Sequence, residues 1–185
     1  MKVNFGAQTF MYPMPVLIIA TYDADGNADA MNAAWGGIHD TNQIGICLSP
    51  EHKTTANILL KKAFTVSMAD AAHVAGCDYV GLVSGNKEKD KIKKAGFTVS
   101  KADNVDAPVI NELPMALECE LVSYDEKSGY MVANIVNVTA EEDVLIDGKI
   151  NPEKLNPITY DPVNHTYIKL GEVVGKAFSD GKVLI

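Results

Sequence analysis

Two neighbouring pieces of the sequence decide the fold: Ala33-Ala-Trp-Gly-Gly37 and, after a short turn, Ile44-Gly-Ile-Cys-Leu-Ser-Pro-Glu-His-Lys-Thr-Thr55. Together they predict a strand of small residues, a second strand, and a polar loop that opens a helix. The loop brings hydroxyl groups, an imidazole, an ammonium group and the free amides of a helix start close together. Because those amides and the helix dipole favour negative charge, the loop is typical of a phosphate site. The small residues upstream would let a flat ligand approach the backbone, so the pattern predicts a planar, phosphorylated cofactor.

The composition is that of a globular protein. The chain has 185 residues, of which 47% are hydrophobic and 22% are charged, and this predicts one domain over residues 1–185. No apolar run approaches the roughly 20 residues of a membrane helix, and the N-terminus lacks the apolar region of a signal peptide. We therefore expect a cytoplasmic location and no membrane association.

Charge restricts the partners that the chain can bind. Its net charge of −8 argues against nucleic-acid binding, which draws its affinity from phosphate neutralisation. All 16 basic residues are lysines, so a bound phosphate would be held by lysine, histidine, hydroxyl groups or backbone amides. The run Lys87–Lys94 is locally basic, and its interleaved acids indicate a solvated helix face.

The common catalytic and metal-binding motifs are missing. The sequence contains neither a Rossmann nor a P-loop fingerprint, and neither G-x-S-x-G nor H-E-x-x-H. His73 and Cys77 have the spacing of two metal ligands on a helix, but Gly76 interrupts it and no second pair follows, so no metal site is predicted. No catalytic acid or base is evident. A protein without its own reactive groups can leave the chemistry to a bound cofactor.

The remaining chain predicts mostly antiparallel strands, marked by β-branched or alternating apolar residues and separated by turns rich in Gly, Asn and Asp. The predicted strands are Val16–Tyr22, Ala28–Trp35, Ile44–Leu48, Phe64–Met68, Met115–Tyr124 and Tyr130–Val138. The predicted helical segments are Thr54–Lys62, Ala71–Ala75, Tyr79–Ser84 and Lys89–Lys94. The Pro- and Asn-rich stretch after Gly148 is predicted to be extended loop. This pattern indicates a β-barrel with helical insertions.

In their order along the chain, these segments resemble the flavin reductase-like family of FMN-binding split barrels, which includes flavoredoxin. The resemblance covers nearly the whole chain and rests on Pro13-Met-Pro-Val16, Asn32-Ala-Ala-Trp35, Ser49-Pro-Glu-His-Lys-Thr54, Gly81–Lys91, Ala107-Pro-Val-Ile-Asn-Glu112, Leu117-Glu-Cys119 and Leu170–Phe178. It implies a mainly β fold, namely a six-stranded antiparallel split β-barrel with helical insertions. It also implies a homodimer with FMN bound non-covalently near the subunit interface.

The resemblance further implies which residues surround the FMN. The isoalloxazine ring would be lined, largely through backbone, by Asn32, Ala33, Ala34 and Trp35. The ribityl chain would pass Cys47, Leu48 and Ser49. The phosphate would be taken by His52, Lys53, Thr54 and Thr55, where family members often have an arginine in or near the loop.

Other roles remain open for several of these residues. Tyr167 could close over the flavin from a late strand or serve packing alone, and the stretch Cys77–Gly81 could border the flavin. Trp35 could be a core or interface aromatic residue. Ser49 and Thr54 are also ordinary helix-capping residue types.

The leading hypothesis is an FMN-dependent oxidoreductase, either a flavin reductase or a flavoredoxin-like electron carrier. NAD(P)H or a redox protein would supply the electrons, and an acceptor would receive them. The alternatives are a non-catalytic protein that binds FMN or another planar cofactor such as haem, and a dimeric scaffold with an empty pocket.

Overall fold

The computed structural model describes residues 1–185 and consists mainly of short and long β-strands. The strands are β1 Met14–Pro15, β2 Leu17–Tyr22, β3 Ala28–Ala33, β4 Gly36–Asp40, β5 Gln43–Cys47, β6 Ala63–Met68, β7 Val99–Lys101, β8 Pro108–Ile110, β9 Met115–Asp125, β10 Tyr130–Ala140, β11 Leu145–Ile146, β12 Lys149–Ile150, β13 Ile158–Asp161 and β14 Thr166–Lys169. The α-helices are α1 Lys53–Lys61, α2 Val74–Leu82, α3 Lys91–Lys94 and α4 Pro152–Leu155. Two 3₁₀ helices span Glu142–Val144 and Asp180–Leu184.

The principal sheet is antiparallel and has the strand order β3-β2-β6-β9-β10-β5-β4. It contains seven strands where the resemblance implied six. The predicted strand Ala28–Trp35 ends at Ala33, and a separate strand, Gly36–Asp40, follows and pairs with β5. The two residues between them, Ala34 and Trp35, therefore leave the ladder at a bend near one edge of the sheet.

Apolar side chains cover both faces of this sheet. Strand β2 shows the arrangement, because successive side chains of a strand point to opposite faces. Leu17 and Ile19 pack in one apolar cluster with Phe64 of β6. Ile18 and Ala20 pack in a second cluster on the other face. The continuous apolar run of β2 is thus explained by burial on two sides.

A small sheet of β1, β13 and β14 corrects one prediction. The Pro- and Asn-rich stretch after Gly148 was expected to be extended loop, yet it contains α4 and β13, whereas β14 corresponds to the late strand on which Tyr167 was expected. Pro15 of β1 pairs with Thr159 of β13, and the hairpin of β13 and β14 follows. Local Pro and Asn signals mark turns, but they do not reveal pairing between strands that are distant in sequence.

Helix α2 corrects a second prediction, since it is continuous where two separate segments, Ala71–Ala75 and Tyr79–Ser84, were expected. Its two glycines serve close packing and do not break the helix. A Cβ atom at Gly76 would lie 2.5 Å from the carbonyl oxygen of Ala95. A Cβ atom at Gly81 would lie 2.9 Å from Cβ of Asn32, so α2 packs tightly against β3. No helix of the protein is long and apolar enough to cross a membrane.

Candidate functional site

A cavity of about 290 Å³ opens at the bend between β3 and β4. It is called the aromatic pocket here. Eight of the predicted site residues line it: Asn32, Ala33, Ala34, Trp35, Cys47, Leu48, His52 and Tyr167. The structure therefore gathers most of the predicted flavin-binding residues around one apolar cavity.

The β13–β14 hairpin forms a wall of the aromatic pocket with two tyrosines. Tyr160, which the sequence analysis missed, lines the pocket with Tyr167, and their ring centroids lie 6.2 Å apart. The Tyr167 hydroxyl donates a hydrogen bond of 2.7 Å to Oδ1 of Asp78 on α2. Burial and the neighbouring Asp78 carboxylate raise the pKa of Tyr167 well above its usual range. The Tyr167 ring is thus held in place by a neutral hydroxyl group.

Helix α2 also supports the part of the pocket that Asn32 forms. Nδ2 of Asn32 donates a hydrogen bond of 3.1 Å to the carbonyl oxygen of Cys77. The Cys77 side chain itself is buried in the core, and this burial raises the pKa of its thiol to about 12. Within the predicted stretch Cys77–Gly81, the contacts with pocket-lining residues therefore come from the Cys77 carbonyl group, from Asp78 and from Gly81, while the Cys77 thiol is buried in the core.

A second cavity, of about 270 Å³, adjoins the first and shares Met31, Asn32 and His52 with it. It is called the lysine pocket here, because Lys53 and Lys91 both line it. Its remaining wall comes from Glu51, the start of α1, the last turn of α2 and the loop that follows α2. No side chain caps the N-terminus of α1, so the amides of its first turn remain available to an anion.

Each lysine of this pocket faces an aspartate. Nζ of Lys53 lies 3.3 Å from Oδ2 of Asp23, and Nζ of Lys91 lies 3.8 Å from Oδ1 of Asp29. The second distance is too long for a hydrogen bond. Lys91 is only 4% exposed, and burial lowers the pKa of its ammonium group. An ammonium group that is buried without a close hydrogen-bond partner is well suited to receive an anionic ligand.

The other oxygen of Asp29 organises the start of α1. Oγ1 of Thr54 donates a hydrogen bond of 2.7 Å to Oδ2 of Asp29. The backbone of Gly85 lies against this carboxylate, since a Cβ atom there would come within 2.3 Å of Oδ1. Glycine is therefore required at position 85 for the loop to approach Asp29 and Lys53.

Two predicted phosphate-loop residues line neither pocket. The Thr55 hydroxyl donates a hydrogen bond of 2.8 Å to the carbonyl oxygen of Ser49. Oγ of Ser49 accepts a hydrogen bond of 3.4 Å from the amide of Glu51. These contacts maintain the shape of the loop between β5 and α1. Of the residues predicted to take the phosphate, His52 in that loop and Lys53 and Thr54 at the start of α1 line the lysine pocket, together with Glu51 of the loop.

The interpretation of Lys87–Lys94 as a solvated face is wrong for Lys91. The predicted helix Lys89–Lys94 is shorter, spanning Lys91–Lys94, and its first residue turns inward toward Asp29. The indication in the sequence was an acidic residue, Asp29, within a predicted strand and next to the apolar Ala30 and Met31, which are buried with it. A buried carboxylate requires a partner, and sequence spacing alone could not identify a lysine 62 positions later as that partner.

A third cavity, of about 520 Å³, lies on the other side of Trp35 and is called the edge groove here. It shares Ala34, Trp35 and Cys47 with the aromatic pocket, and residues 8–11 and Tyr130 also line it. Nδ1 of His39 lies 2.9 Å from the Tyr130 hydroxyl. The ring of Tyr130 lies over Gly45, where a Cβ atom would lie 2.2 Å from that hydroxyl. Strand β4, at the rim of the groove, is an edge strand of the principal sheet.

Comparison with known proteins identifies the family. The family described as "Flavin reductase like domain" matches residues 9–160 of the chain. The chain belongs to this family. Membership supports a flavin-dependent redox function, and it fits a protein with one apolar, aromatic pocket joined to one cationic pocket.

Solved structures of the flavin reductase-like family superpose closely on this chain. The flavoredoxin of Desulfovibrio vulgaris (Miyazaki F) is 36% identical, with a TM-score of 0.94 over 98% of this chain and 100% of that chain. The flavoredoxin from Methanosarcina acetivorans is 28% identical, with a TM-score of 0.89 over 100% of both chains. A protein of Bacillus subtilis (strain 168), the uncharacterized protein YdfE, is 25% identical over 90% of this chain and 88% of its own length.

These superpositions confirm the mainly β split-barrel fold that the sequence predicted.

Proposed function

We propose that the protein binds FMN and acts as an FMN-dependent oxidoreductase of the flavin reductase or flavoredoxin type. NAD(P)H or a redox protein supplies the electrons, and an acceptor receives them. The observation that carries this proposal is the connection between two unlike cavities, which share Met31, Asn32 and His52. One is apolar and aromatic and suits a planar ring system, and the other is cationic and suits a phosphate.

The lysine pocket is the proposed phosphate site. Lys53 and Lys91 bring two ammonium groups to it, and the uncapped start of α1 adds backbone amides. In a chain without arginine, this combination replaces the bidentate contact that a guanidinium group would make. Asp29 and Asp23 keep the two ammonium groups in place, so the site is organised before the ligand arrives.

The aromatic pocket is the proposed site of the isoalloxazine ring. Ala33 and Ala34 keep the bend of the chain free of bulky side chains, which allows a flat ligand to approach the backbone. Tyr160 and Tyr167 provide an apolar wall that excludes water, and the Tyr167–Asp78 hydrogen bond holds that wall in position. When bound, FMN supplies the electron-transfer chemistry, so the chain needs no acid or base of its own.

The structure also supports proposals about domain organisation, oligomeric state and cellular location. We infer one domain spanning residues 1–185, since residues from Val16 to Tyr167 contribute to one pocket. We also infer a homodimer, because Trp35 is 51% exposed, Ile38 is 75% exposed and β4 has an open edge. The three cysteines are free, which fits the reducing cytoplasm.

The binding part of the proposal is tested by titrating the purified, flavin-free protein with FMN and with riboflavin, followed by flavin fluorescence. We expect FMN to bind at least about tenfold more tightly, because only FMN carries a phosphate for the lysine pocket. Equal titration curves would refute the phosphate assignment. No binding of either flavin would support the empty scaffold.

The redox part is tested by anaerobic stopped-flow with the FMN-loaded protein, observing oxidised flavin at about 450 nm. NADH or NADPH should bleach the absorbance, and dithionite serves as the control that the bound flavin can be reduced. Bleaching by dithionite alone would refute direct reduction by nicotinamide. Reduction by a redox protein would then identify an electron carrier, and an unreactive flavin would identify a binding protein without turnover.

A further inference from the structure

Tyr130 and His39 form a hydrogen-bonded pair at the edge groove, and neither side chain lines the aromatic pocket or the lysine pocket. Nδ1 of His39 lies 2.9 Å from the Tyr130 hydroxyl, and the two ring centroids lie 5.8 Å apart. Tyr130 lines the groove, while His39 is exposed to solvent. A hydroxyl group that lines a cavity and contacts an exposed imidazole can pass protons between that cavity and water.

The chain's own N-terminal segment contributes to the edge groove and is anchored next to it. Residues 8–11 line the groove. Just beyond them, the Tyr12 hydroxyl donates a hydrogen bond to Oδ1 of Asp161, and the Met14 amide donates one of 2.9 Å to Oγ1 of Thr159. The groove has a volume of about 520 Å³, which is in the range of small-molecule sites. It is therefore a formed cavity that one chain builds by itself.

The lining of the edge groove favours a neutral, flat molecule. None of the residues that line it is charged, so it offers no cation to a phosphate or another anion. Phe10, Trp35 and Ile38 contribute large apolar side chains, which suit an aromatic or conjugated ring. The Tyr130 hydroxyl adds a hydrogen-bond donor for an oxygen atom on that ring.

We infer that the edge groove binds a small neutral quinone as the electron acceptor, and that Tyr130, supported by His39, donates a proton during its reduction. This inference rests on the proposed function and adds the chemical class of the acceptor. Because Ala34, Trp35 and Cys47 line both the groove and the aromatic pocket, a quinone in the groove would lie beside a flavin ring in that pocket.

The balance of protons and electrons gives each group one task. Conversion of a quinone into a hydroquinone takes up two electrons and two protons. Both electrons and one proton arrive as a hydride from the reduced flavin of the proposed function. The O–H bond of Tyr130 breaks as a new O–H bond forms on the quinone, which accounts for the second proton. Nδ1 of His39 then returns a proton to the Tyr130 oxygen, and the exposed imidazole regains one from water.

The first test measures binding to the flavin-free protein, with duroquinone as the probe. Trp35 is the only tryptophan of the chain and lines the groove, so duroquinone should quench its fluorescence in a saturable manner. Tyr130→Phe removes one hydrogen bond and should weaken duroquinone by about fivefold, with FMN affinity unchanged. Tyr22→Phe is the matched control and should change neither affinity, because Tyr22 lines none of the three cavities.

Two outcomes of this titration would overturn the edge groove as the quinone site. The first is quenching that does not saturate, which would show collisions in place of binding. The second is an equal duroquinone affinity in the native protein and Tyr130→Phe, since a quinone bound elsewhere would not contact the Tyr130 hydroxyl.

The second test measures the oxidation of the dithionite-reduced, FMN-loaded protein by duroquinone in anaerobic stopped-flow. Tyr130→Phe should lower the rate constant at saturating duroquinone by about a hundredfold, the lower end for a positioned proton donor. His39→Asn keeps an N–H group that can hold Tyr130 but cannot pass on a proton. It should therefore lower that rate constant at unchanged duroquinone affinity, and imidazole added to His39→Ala should restore part of the native rate.

The outcomes separate this inference from the proposed function. Equal rates for the native protein and Tyr130→Phe would overturn the proton transfer, and a native rate in His39→Asn would overturn the part of His39. Either result would leave FMN binding and reduction intact. Failure of the native protein to bind FMN would instead refute the proposed function, and the reduction of a quinone with it.

Discussion

Lys91 provides the sharpest test of the phosphate assignment, because its removal should affect folding and FMN binding by different amounts. The variant Lys91→Met keeps most of the side-chain volume and removes the charge. The ammonium group lies 3.8 Å from Oδ1 of Asp29, and both side chains are 5% exposed or less. The variant therefore leaves the Asp29 carboxylate buried with Thr54 as its hydrogen-bond partner and no nearby cation at hydrogen-bonding or ion-pair distance.

Two magnitudes follow from this geometry. Loss of one partner of a tight buried ion pair costs about 3–5 kcal/mol. Here the 3.8 Å separation is long and burial lowers the pKa of Lys91, so most of that cost is offset and we expect a loss of about 1 kcal/mol in the free energy of unfolding. Loss of one charge-assisted contact with the phosphate costs about 1.5–3 kcal/mol, which is roughly a ten- to hundredfold weaker affinity for FMN. Riboflavin, which has no phosphate, should bind the variant and the native protein equally.

A double variant separates the two effects. Asp29→Asn combined with Lys91→Met removes both charges and keeps an oxygen that accepts the hydrogen bond from Thr54. The unfolding free energy should recover most of the loss, because no buried charge remains unpaired, while the affinity for FMN should remain low. Lys94→Met is the matched control, since Lys94 lies on the same helix but is exposed and pairs with Glu88.

Denaturant unfolding and fluorescence titration with both flavins measure these quantities. The reasoning is refuted if Lys91→Met weakens FMN and riboflavin by the same factor, because the effect would then be structural. It is also refuted if the double variant regains native FMN affinity, since the phosphate would then not depend on the Lys91 charge.

Three further predictions concern the same site. Burial lowers the pKa of Lys91 below its ordinary value of 10.5, so FMN affinity should fall as the pH rises through that lowered pKa, while riboflavin affinity should stay constant. Over the same pH range, the unfolding free energy of the native protein should rise relative to that of Lys91→Met, because the folded state loses the Lys91 proton at a lower pH than the unfolded state. Lys53→Ala should weaken FMN by about tenfold, the lower end of a charge-assisted contact, because Lys53 is partly exposed and paired with Asp23; fluorescence titration against the native protein measures this, and an unchanged affinity would remove Lys53 from the phosphate site. In stopped-flow experiments, NADH and NADPH should reduce the bound FMN at similar rates and with weak saturation, since the chain has no nucleotide-binding fingerprint and no arginine for a 2′-phosphate. A strong preference for either nucleotide would contradict this expectation.

Features that depend on local sequence could be predicted well. The hairpin of Met115–Asp125 and Tyr130–Ala140 was predicted to within two residues at each end, because alternation of apolar residues and a Gly-containing turn specify it directly. The loop Ser49–Thr55 and the following helix were predicted for the same reason. Ala33, Ala34 and Trp35, which the resemblance placed beside the isoalloxazine ring, line the aromatic pocket, although the sequence predicted a continuous strand there and did not predict the bend at Ala34 and Trp35.

Features that depend on contacts between distant residues could not be predicted. Strand β13 was missed because its pairing with β1 joins Pro15 to Thr159, and neither segment has a strong strand signal alone. The continuous course of α2 was missed because the reason for Gly76 is the nearby carbonyl oxygen of Ala95, a contact with another element.

The sequence by itself therefore determined the family, the mainly β architecture and most of the residues that line the aromatic pocket, because short motifs and local periodicity carry that information. The tertiary structure alone decided where the cationic site lies. Lys91 belongs to a run of lysines and acids that is typical of a solvated surface, and only folding brings it to the buried carboxylate of Asp29. The physical reason is that a buried charge is tolerated only beside a compensating charge, and that partner is specified by the packing of α3 against β3 rather than by any local pattern.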